Sequence, residues 1–202
     1  SLHPLHRRSL LSSLRTNPQT IKIMPDKFKD AVEKRILVIG KKPKGFKVEG
    51  DPAVTDMILR HEKFSPKSYS DYKQTSIGYG TKAKEGETAI DEKEARKRAV
   101  ERITDDREAV LGAMKKWGYD WTPSQVDALT SFRYNIGNIG GVTGGGKRSD
   151  SEIAESILLY NKATKDGVTS PLEGLTKRRV DESNLFKKGM EHKVGVEIVR
   201  GK

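Results

Sequence analysis

Two acidic side chains, Glu62 and Asp71, have the residue type and spacing for acid–base chemistry. The residues before Glu62 recur at helical spacing and predict one apolar helix face, formed by Val54, Met57, Ile58 and His61. Glu62 follows at the end of this face, where apolar surroundings favour the neutral carboxyl, so we expect it to keep a proton near neutral pH. The alternative is the commoner fate of a glutamate at a helix end, a side chain that turns outward into water.

Asp71 falls on a predicted hairpin that folds the chain back towards the end of this helix. Two carboxyls with different surroundings, facing each other across a cleft, are what glycoside hydrolysis uses. The spacing permits this chemistry but does not by itself select it.

The elements that must position these carboxyls have clear boundaries in the sequence. Asp51 and Pro52 predict the start of the first helix, and residues 65–86 predict a small antiparallel sheet of two or three strands. Further helix starts follow at three capping patterns: Asp91 with Glu94, Thr122 with Gln125, and Ser149 with Glu152. The first of these helices is expected to reach about Lys116, the second Gly137 and the third Tyr160, and a last helix is expected to end near Gly189. This order predicts an α+β fold with a small sheet lobe and a mainly helical lobe.

The chain divides by composition into an extension, a domain and a tail. Residues 1–50 contain twelve Lys or Arg against four Asp or Glu, and predict a basic N-terminal extension. We interpret it as a tail with some local order, and an arm that docks on a partner is the alternative. Residues 51–189 are predicted to form the domain, and residues 190–202 a C-terminal tail with one strand-like patch.

The net charge of +11 indicates a polyanionic partner such as nucleic acid, an anionic membrane face or a bacterial envelope. Only 6% of residues are aromatic and no aromatic–basic stacking array is present, which argues against nucleic acid as the partner. The absence of cysteine excludes disulfides, thiolate catalysis and cysteine-based zinc sites. No apolar run approaches the roughly 20 residues of a membrane span.

Four stretches in this order resemble the phage-type lysozymes. HEKFSPKSYSDYKQTSIGYG (residues 61–80) is similar to the catalytic hairpin of that family, in which a helix-end Glu precedes Tyr-x-Asp and Thr-Ile-Gly-x-Gly. Three other stretches resemble the starts or bodies of three of its helices: AIDEKEA (89–95), QVDALTSFRYNIGN (125–138) and EGLTKRRVDESNLF (173–186). The resemblance covers about two thirds of the chain and implies the lysozyme-like fold and cleavage of peptidoglycan glycan strands by a muramidase.

The resemblance also implies catalytic roles. Glu62 matches the general acid, Asp71 the second carboxylate that helps to activate water, and Ser76 the family's Thr, whose hydroxyl positions that water. The hairpin has one residue fewer between Asp71 and Ser76 than is usual in the family, so Thr75 is a competing candidate for the hydroxyl.

Four other positions have alternative interpretations. Asn135 matches a position whose amide faces the sugar cleft, and it could equally cap the helix before Gly137. Arg178 and Arg179 match a basic pair; one could approach the cleft, but we favour an ion pair with Glu182 at helical spacing. Phe132 is expected in the core.

Gly78 and Gly80 are expected to permit close backbone approach in the sheet rather than to bind ligand. The glycine-rich loop at 137–146 lacks the lysine and hydroxyl of a phosphate cradle. The four histidines are scattered, and His61 is expected to pack or to line the cleft. We therefore predict an enzyme with no cofactor and no metal.

The predicted function is hydrolysis of the β-1,4 bond between N-acetylmuramic acid and N-acetylglucosamine during phage-mediated wall degradation. The expected location is a phage virion or an infected cell, with action on the cell wall in the periplasm. The alternative is a structural lysozyme-like module of a phage particle that docks on other virion proteins through residues 1–50.

Overall fold

The computed structural model describes residues 52–70, 74–165 and 167–200. In chain order the elements in these ranges are helix α1 (Pro52–Glu62), strands β1 (Ser65–Ser70), β2 (Thr75–Gly78) and β3 (Thr81–Lys82), helices α2 (Glu92–Trp117), α3 (Pro123–Ile136) and α4 (Asp150–Leu158), strands β4 (Lys162–Lys165) and β5 (Val168–Pro171), and helix α5 (Glu173–Arg200). The predicted extension at residues 1–50 lies outside the described residues, and so does Asp51, the expected cap of α1.

The small sheet is antiparallel with strand order β1-β2-β3, as predicted. Tyr69 on β1 pairs with Ser76 on β2, and Ile77 on β2 pairs with Thr81 on β3. The β1–β2 register shifts between Ser65 and Tyr69, so the pairing of these two strands is irregular there.

The helix starts that the capping patterns predict are confirmed. The Asp91 carboxylate accepts a hydrogen bond from the backbone N–H of Glu94 at 2.9 Å. Thr122 with Gln125, and Ser149 with Glu152, form reciprocal capping boxes at the starts of α3 and α4. Each box satisfies backbone donors that the first helical turn leaves unpaired.

The first helix packs its apolar face between α2 and α3. Val54 and Ile58 lie in a buried cluster with Ile103 of α2 and Tyr134 of α3. On the adjoining side of the helix, Leu59 lies in a second buried cluster with Tyr79, Ala95 and Ala99. The expected helical stripe is therefore the surface that docks α1, and it carries Glu62 to the edge of the helical lobe.

One pair of strands was not predicted from the sequence. The stretch after α4 forms an antiparallel hairpin of β4 and β5, in which the exposed hydroxyls of Thr164 and Thr169 share a hydrogen bond of 2.8 Å. The polar composition of both strands gave no apolar alternation from which to predict them.

The last helix does not end near Gly189 but continues to Arg200, where a strand-like patch was expected. Gly189 is buried, and a Cβ there would lie 2.3 Å from the Thr122 hydroxyl oxygen, so this glycine serves close packing rather than helix termination. Within the described ranges, no helix combines the length and the hydropathy needed for a membrane span.

Candidate active site

Glu62 is the last residue of α1, and its side chain is 16% exposed. Its two carboxylate oxygens have different neighbours. Oε1 accepts a hydrogen bond from Nη1 of Arg178 on α5. Oε2 faces the turn after β2, where a Cβ on Gly80 would lie only 2.9 Å from it. The predicted helix-end carboxyl is thus partly buried and held, not turned freely into water. Its surroundings are not purely apolar as expected, because it binds the guanidinium of Arg178.

The arginine that holds Glu62 is itself fixed by α3 and α5. Arg178 is buried and donates from Nε to Glu182 Oε1 at 3.1 Å and from Nη2 to the backbone carbonyl of Ser131 at 3.0 Å. The sequence left two interpretations of Arg178 and Arg179: an approach to the cleft or an ion pair with Glu182. Arg178 fits both, because it pairs with Glu182 and also binds Glu62. A planar guanidinium with three separate acceptors has little freedom to rotate.

The second arginine of the pair stays in the helical core. Arg179 pairs through Nε with Glu182 Oε2 at 2.9 Å, and its guanidinium carbon lies 4.9 Å from the ring centroid of Phe132, which is fully buried as expected. Burial raises the pKa of Glu182 and lowers the pKa of Arg179. Two guanidinium groups share one buried carboxylate here, and Arg178 also binds Glu62.

The turn that faces Glu62 is bonded to α3 and α2. The Tyr134 hydroxyl donates to the backbone carbonyl of Tyr79 at 2.6 Å. Arg102 donates to the carbonyl of Gly80 at 2.7 Å and to that of Tyr134 at 2.6 Å, and it stacks on the Tyr134 ring. Burial raises the pKa of Tyr134, which keeps its hydroxyl protonated as a donor. Sequence reasoning did not find Tyr134 or Arg102, because their partners are backbone carbonyls that no residue type marks.

The two candidate hydroxyls have different environments. Ser76 is fully buried, pairs with Tyr69 and accepts a hydrogen bond of 3.3 Å from Gln74. Thr75 is exposed, and as the adjacent strand residue its side chain points to the opposite sheet face. Asp71 lies outside the described residues, so its role and the choice between the two hydroxyls stay predictions.

Asn135 is exposed in the last turn of α3. The left-handed residue that ends this helix is Gly137, whose backbone N–H donates to the carbonyl of Arg133 at 2.7 Å. The role of Asn135 towards a sugar stays a prediction.

His61 has a polar partner rather than a purely packing role. Its Nε2 lies 2.9 Å from Oδ2 of Asp181 on α5. Asp181 was also missed, since it is 120 residues distant in sequence. Among residues 52–70, 74–165 and 167–200, no group of three or more His, Asp or Glu residues has an arrangement that could hold a metal ion.

Comparisons with known proteins place these features in a family. The phage lysozyme family matches residues 59–182. Among solved structures, the chain is 27% identical to the muramidase domain of SpmX from Asticaccaulis excentricus, with 67% of this chain and 95% of that chain covered and a TM-score of 0.54. No curated protein sequence matches the chain.

Two phage endolysins show the same fold. The endolysin from Escherichia coli O157:H7 phage FAHEc1 is 24% identical, with 70% of this chain and 94% of that chain covered and a TM-score of 0.55. The active form of the P1 phage endolysin Lyz is 17% identical, with 78% and 93% covered and a TM-score of 0.56. The fold is therefore lysozyme-like α+β, and the chain belongs to the phage lysozyme family as a muramidase that degrades bacterial peptidoglycan.

Proposed function

We propose that Glu62 is the general acid for hydrolysis of the β-1,4 bond between N-acetylmuramic acid and N-acetylglucosamine. The observation that carries this proposal is the asymmetry of the Glu62 carboxyl. Oε1 is bound by Arg178, a residue that only donates hydrogen bonds, so a proton on the carboxyl resides on Oε2. Among the described residues, none donates a hydrogen bond to Oε2. The catalytic proton is therefore directed at the side of the carboxyl where Gly80 has no side chain.

In this mechanism the proton on Oε2 moves to the glycosidic oxygen as its bond to the anomeric carbon breaks. The sugar left behind has oxocarbenium character, and water attacks it from the opposite face. The Asp71 carboxylate takes the proton from this water, while the Ser76 hydroxyl positions it. Arg178 offsets the charge that forms on Glu62, which makes the carboxyl a better proton donor in the transition state.

The proposal also includes the substrate and the place where the enzyme acts. The substrate is peptidoglycan, and the net charge of +11 holds the enzyme on an anionic wall by an attraction that salt weakens. The enzyme acts on the wall from an infected cell or a virion, and residues 1–50 are the candidate segment for docking on virion proteins.

The test is the substitution Glu62→Gln, which keeps the shape of the side chain and removes the transferable proton. We expect lysis of purified peptidoglycan to fall by about 10²–10⁴-fold, the usual contribution of a general acid, while the variant still folds and unfolds cooperatively on heating. The matched control is Glu155→Gln on α4, an exposed glutamate that should leave lysis unaltered. Comparable lysis by the two variants would contradict the mechanism.

Product analysis tests the bond and the stereochemistry. The reducing end released should be N-acetylmuramic acid. Its anomeric configuration should be inverted if the Glu62 and Asp71 carboxyls stand about 6.5–9.5 Å apart, which leaves room for water.

A further inference from the structure

The end of α1 is joined to α5 by two adjacent polar contacts. Glu62 binds Arg178, and the preceding residue, His61, binds Asp181 at 2.9 Å. Arg178 and Asp181 are three residues apart and therefore lie on the same face of α5. Two consecutive residues of α1 thus bind residues one turn apart on α5. In the first contact the acidic residue is on α1, and in the second it is on α5.

These contacts act at the C-terminal end of α1, beyond most of its buried apolar residues. Val54 and Ile58 precede the last turn, and Leu59 is its first residue. Glu62 ends the helix, and Lys63 follows it with a φ of 58°, a left-handed conformation that is costly for a residue with a side chain. Because helix ends fray, the direction of a side chain on the last residue depends on contacts made by that turn.

We propose that His61 and Asp181 form a positioning pair that fixes the direction of the Glu62 carboxyl. The inference rests on the proposed role of Glu62 as the general acid. The contact with Arg178 acts on the Glu62 side chain alone. The second contact, on the neighbouring residue, ties the turn that carries Glu62 to α5 and so holds Oε2 towards Gly80.

The exposure of the pair is consistent with a role in positioning rather than in core stability. The His61 side chain is 15% exposed and that of Asp181 is 46% exposed. Ion pairs that are this accessible contribute little to folding stability. A hydrogen bond between the two also persists when the imidazole is neutral, provided that Nε2 carries the proton.

The chain contains a matched control on the same helix. Asp56, near the start of α1, binds Arg96 of α2 at 2.6 Å, and both side chains are more than half exposed. This pair also joins α1 to another helix, but it lies well away from the turn that carries Glu62. Its removal should therefore have the structural effect of losing an exposed ion pair without the effect on Glu62.

The experiment compares kcat and KM on soluble glycan fragments of peptidoglycan. We expect His61→Ala and Asp181→Ala each to lower kcat about tenfold, with KM changed less than about twofold, because only the reacting geometry is disturbed. The double variant should be no worse than either single one, because both remove the same contact. Asp181→Asn, which keeps a hydrogen-bond acceptor of the same shape, should restore most of the lost kcat. The control Asp56→Ala should leave kcat unchanged.

Each other outcome overturns one specific statement. Retention of kcat by both alanine variants, with Glu62→Gln inactive, would refute the positioning pair and leave the general acid intact. An active Glu62→Gln would instead refute the general acid. An equal fall of kcat in Asp56→Ala would show that any loss of an α1 ion pair has this effect. If an alanine variant fails to fold, Asp181→Ser is the substitute, since serine is too short to reach His61; retention of kcat by it would refute the pair.

Discussion

Replacing Gly80 with alanine places a methyl group beside the Glu62 carboxyl and leaves residue 62 itself unchanged. The added Cβ would lie 2.9 Å from Oε2, whereas ordinary van der Waals contact begins at 3.4 Å. The carboxyl must therefore retreat by about 0.5 Å, the difference between these two distances, or the turn must move. The turn is bonded to Tyr134 and Arg102, so we expect most of the movement in Glu62.

The size of the effect has two separable parts. Gly80 has a φ of +72°, so alanine there also costs about 1–2 kcal/mol of backbone strain. A misplacement of about 1 Å can lower the rate about 10²-fold, so a displacement of about half that distance is expected to lower the rate roughly tenfold. Gly86 separates the two parts, because it has the same φ of +72° and nothing within 4 Å of its added Cβ.

The assay measures lysis of purified peptidoglycan and thermal unfolding for Gly80→Ala and Gly86→Ala. Both variants should lose a few degrees in Tm from the strain, but only Gly80→Ala should lose about tenfold in kcat. Equal lytic rates for the two folded variants would refute the inference that Gly80 leaves room for the catalytic carboxyl.

Two further predictions concern stability. Arg107 and Asp127 form an ion pair between α2 and α3, with 2% and 6% side-chain exposure. Asp127→Ala should therefore lower the free energy of unfolding by about 3–5 kcal/mol in urea titrations, because it removes the buried carboxylate that pairs with the Arg107 guanidinium; a loss below about 1 kcal/mol, as for an exposed pair, would contradict this. A bidentate hydrogen bond from Arg98 lowers the pKa of Glu87 from 4.5 to about 2, so its contribution to stability is complete above pH 4.5 and is lost as pH falls towards 2. Glu87→Gln should flatten the pH dependence of Tm in this window, and an unchanged slope would count against the assignment.

The features that sequence predicted well are those encoded by neighbouring residues. Thr122 and Gln125, for example, are three positions apart, and their side chains satisfy the backbone of the turn that they begin. The same holds for the apolar stripe of α1, whose spacing predicts the helix whatever it packs against. Glu62 was accordingly placed at the end of a half-buried helix face from its spacing alone.

The features that sequence did not predict depend on residues distant in the chain. Glu62 and Arg178 are 116 positions apart, and no local pattern indicates that the two meet. Helical spacing predicted the pairing of Arg178 with Glu182, whereas an approach of one arginine to the cleft was only the alternative that the resemblance offered. Strand β5 is exposed along its whole length, and the residues of β4 show no apolar alternation, so this hairpin has no apolar pattern. The continuation of α5 past Gly189 was missed because an isolated glycine near a helix end was interpreted as its stop.

The bonds that hold the turn between β2 and β3 also limit how the cleft can move. A hinge motion that carried Tyr79 and Gly80 away from α3 would break the bond from the Tyr134 hydroxyl and the bond from Arg102, at a net cost of about 0.5–1.5 kcal/mol for each neutral bond and more for a charged donor. The turn consequently moves together with α2 and α3. A motion that admits a glycan strand would therefore involve backbone outside this turn, and Glu62, the proposed general acid, would keep Gly80 as its neighbour.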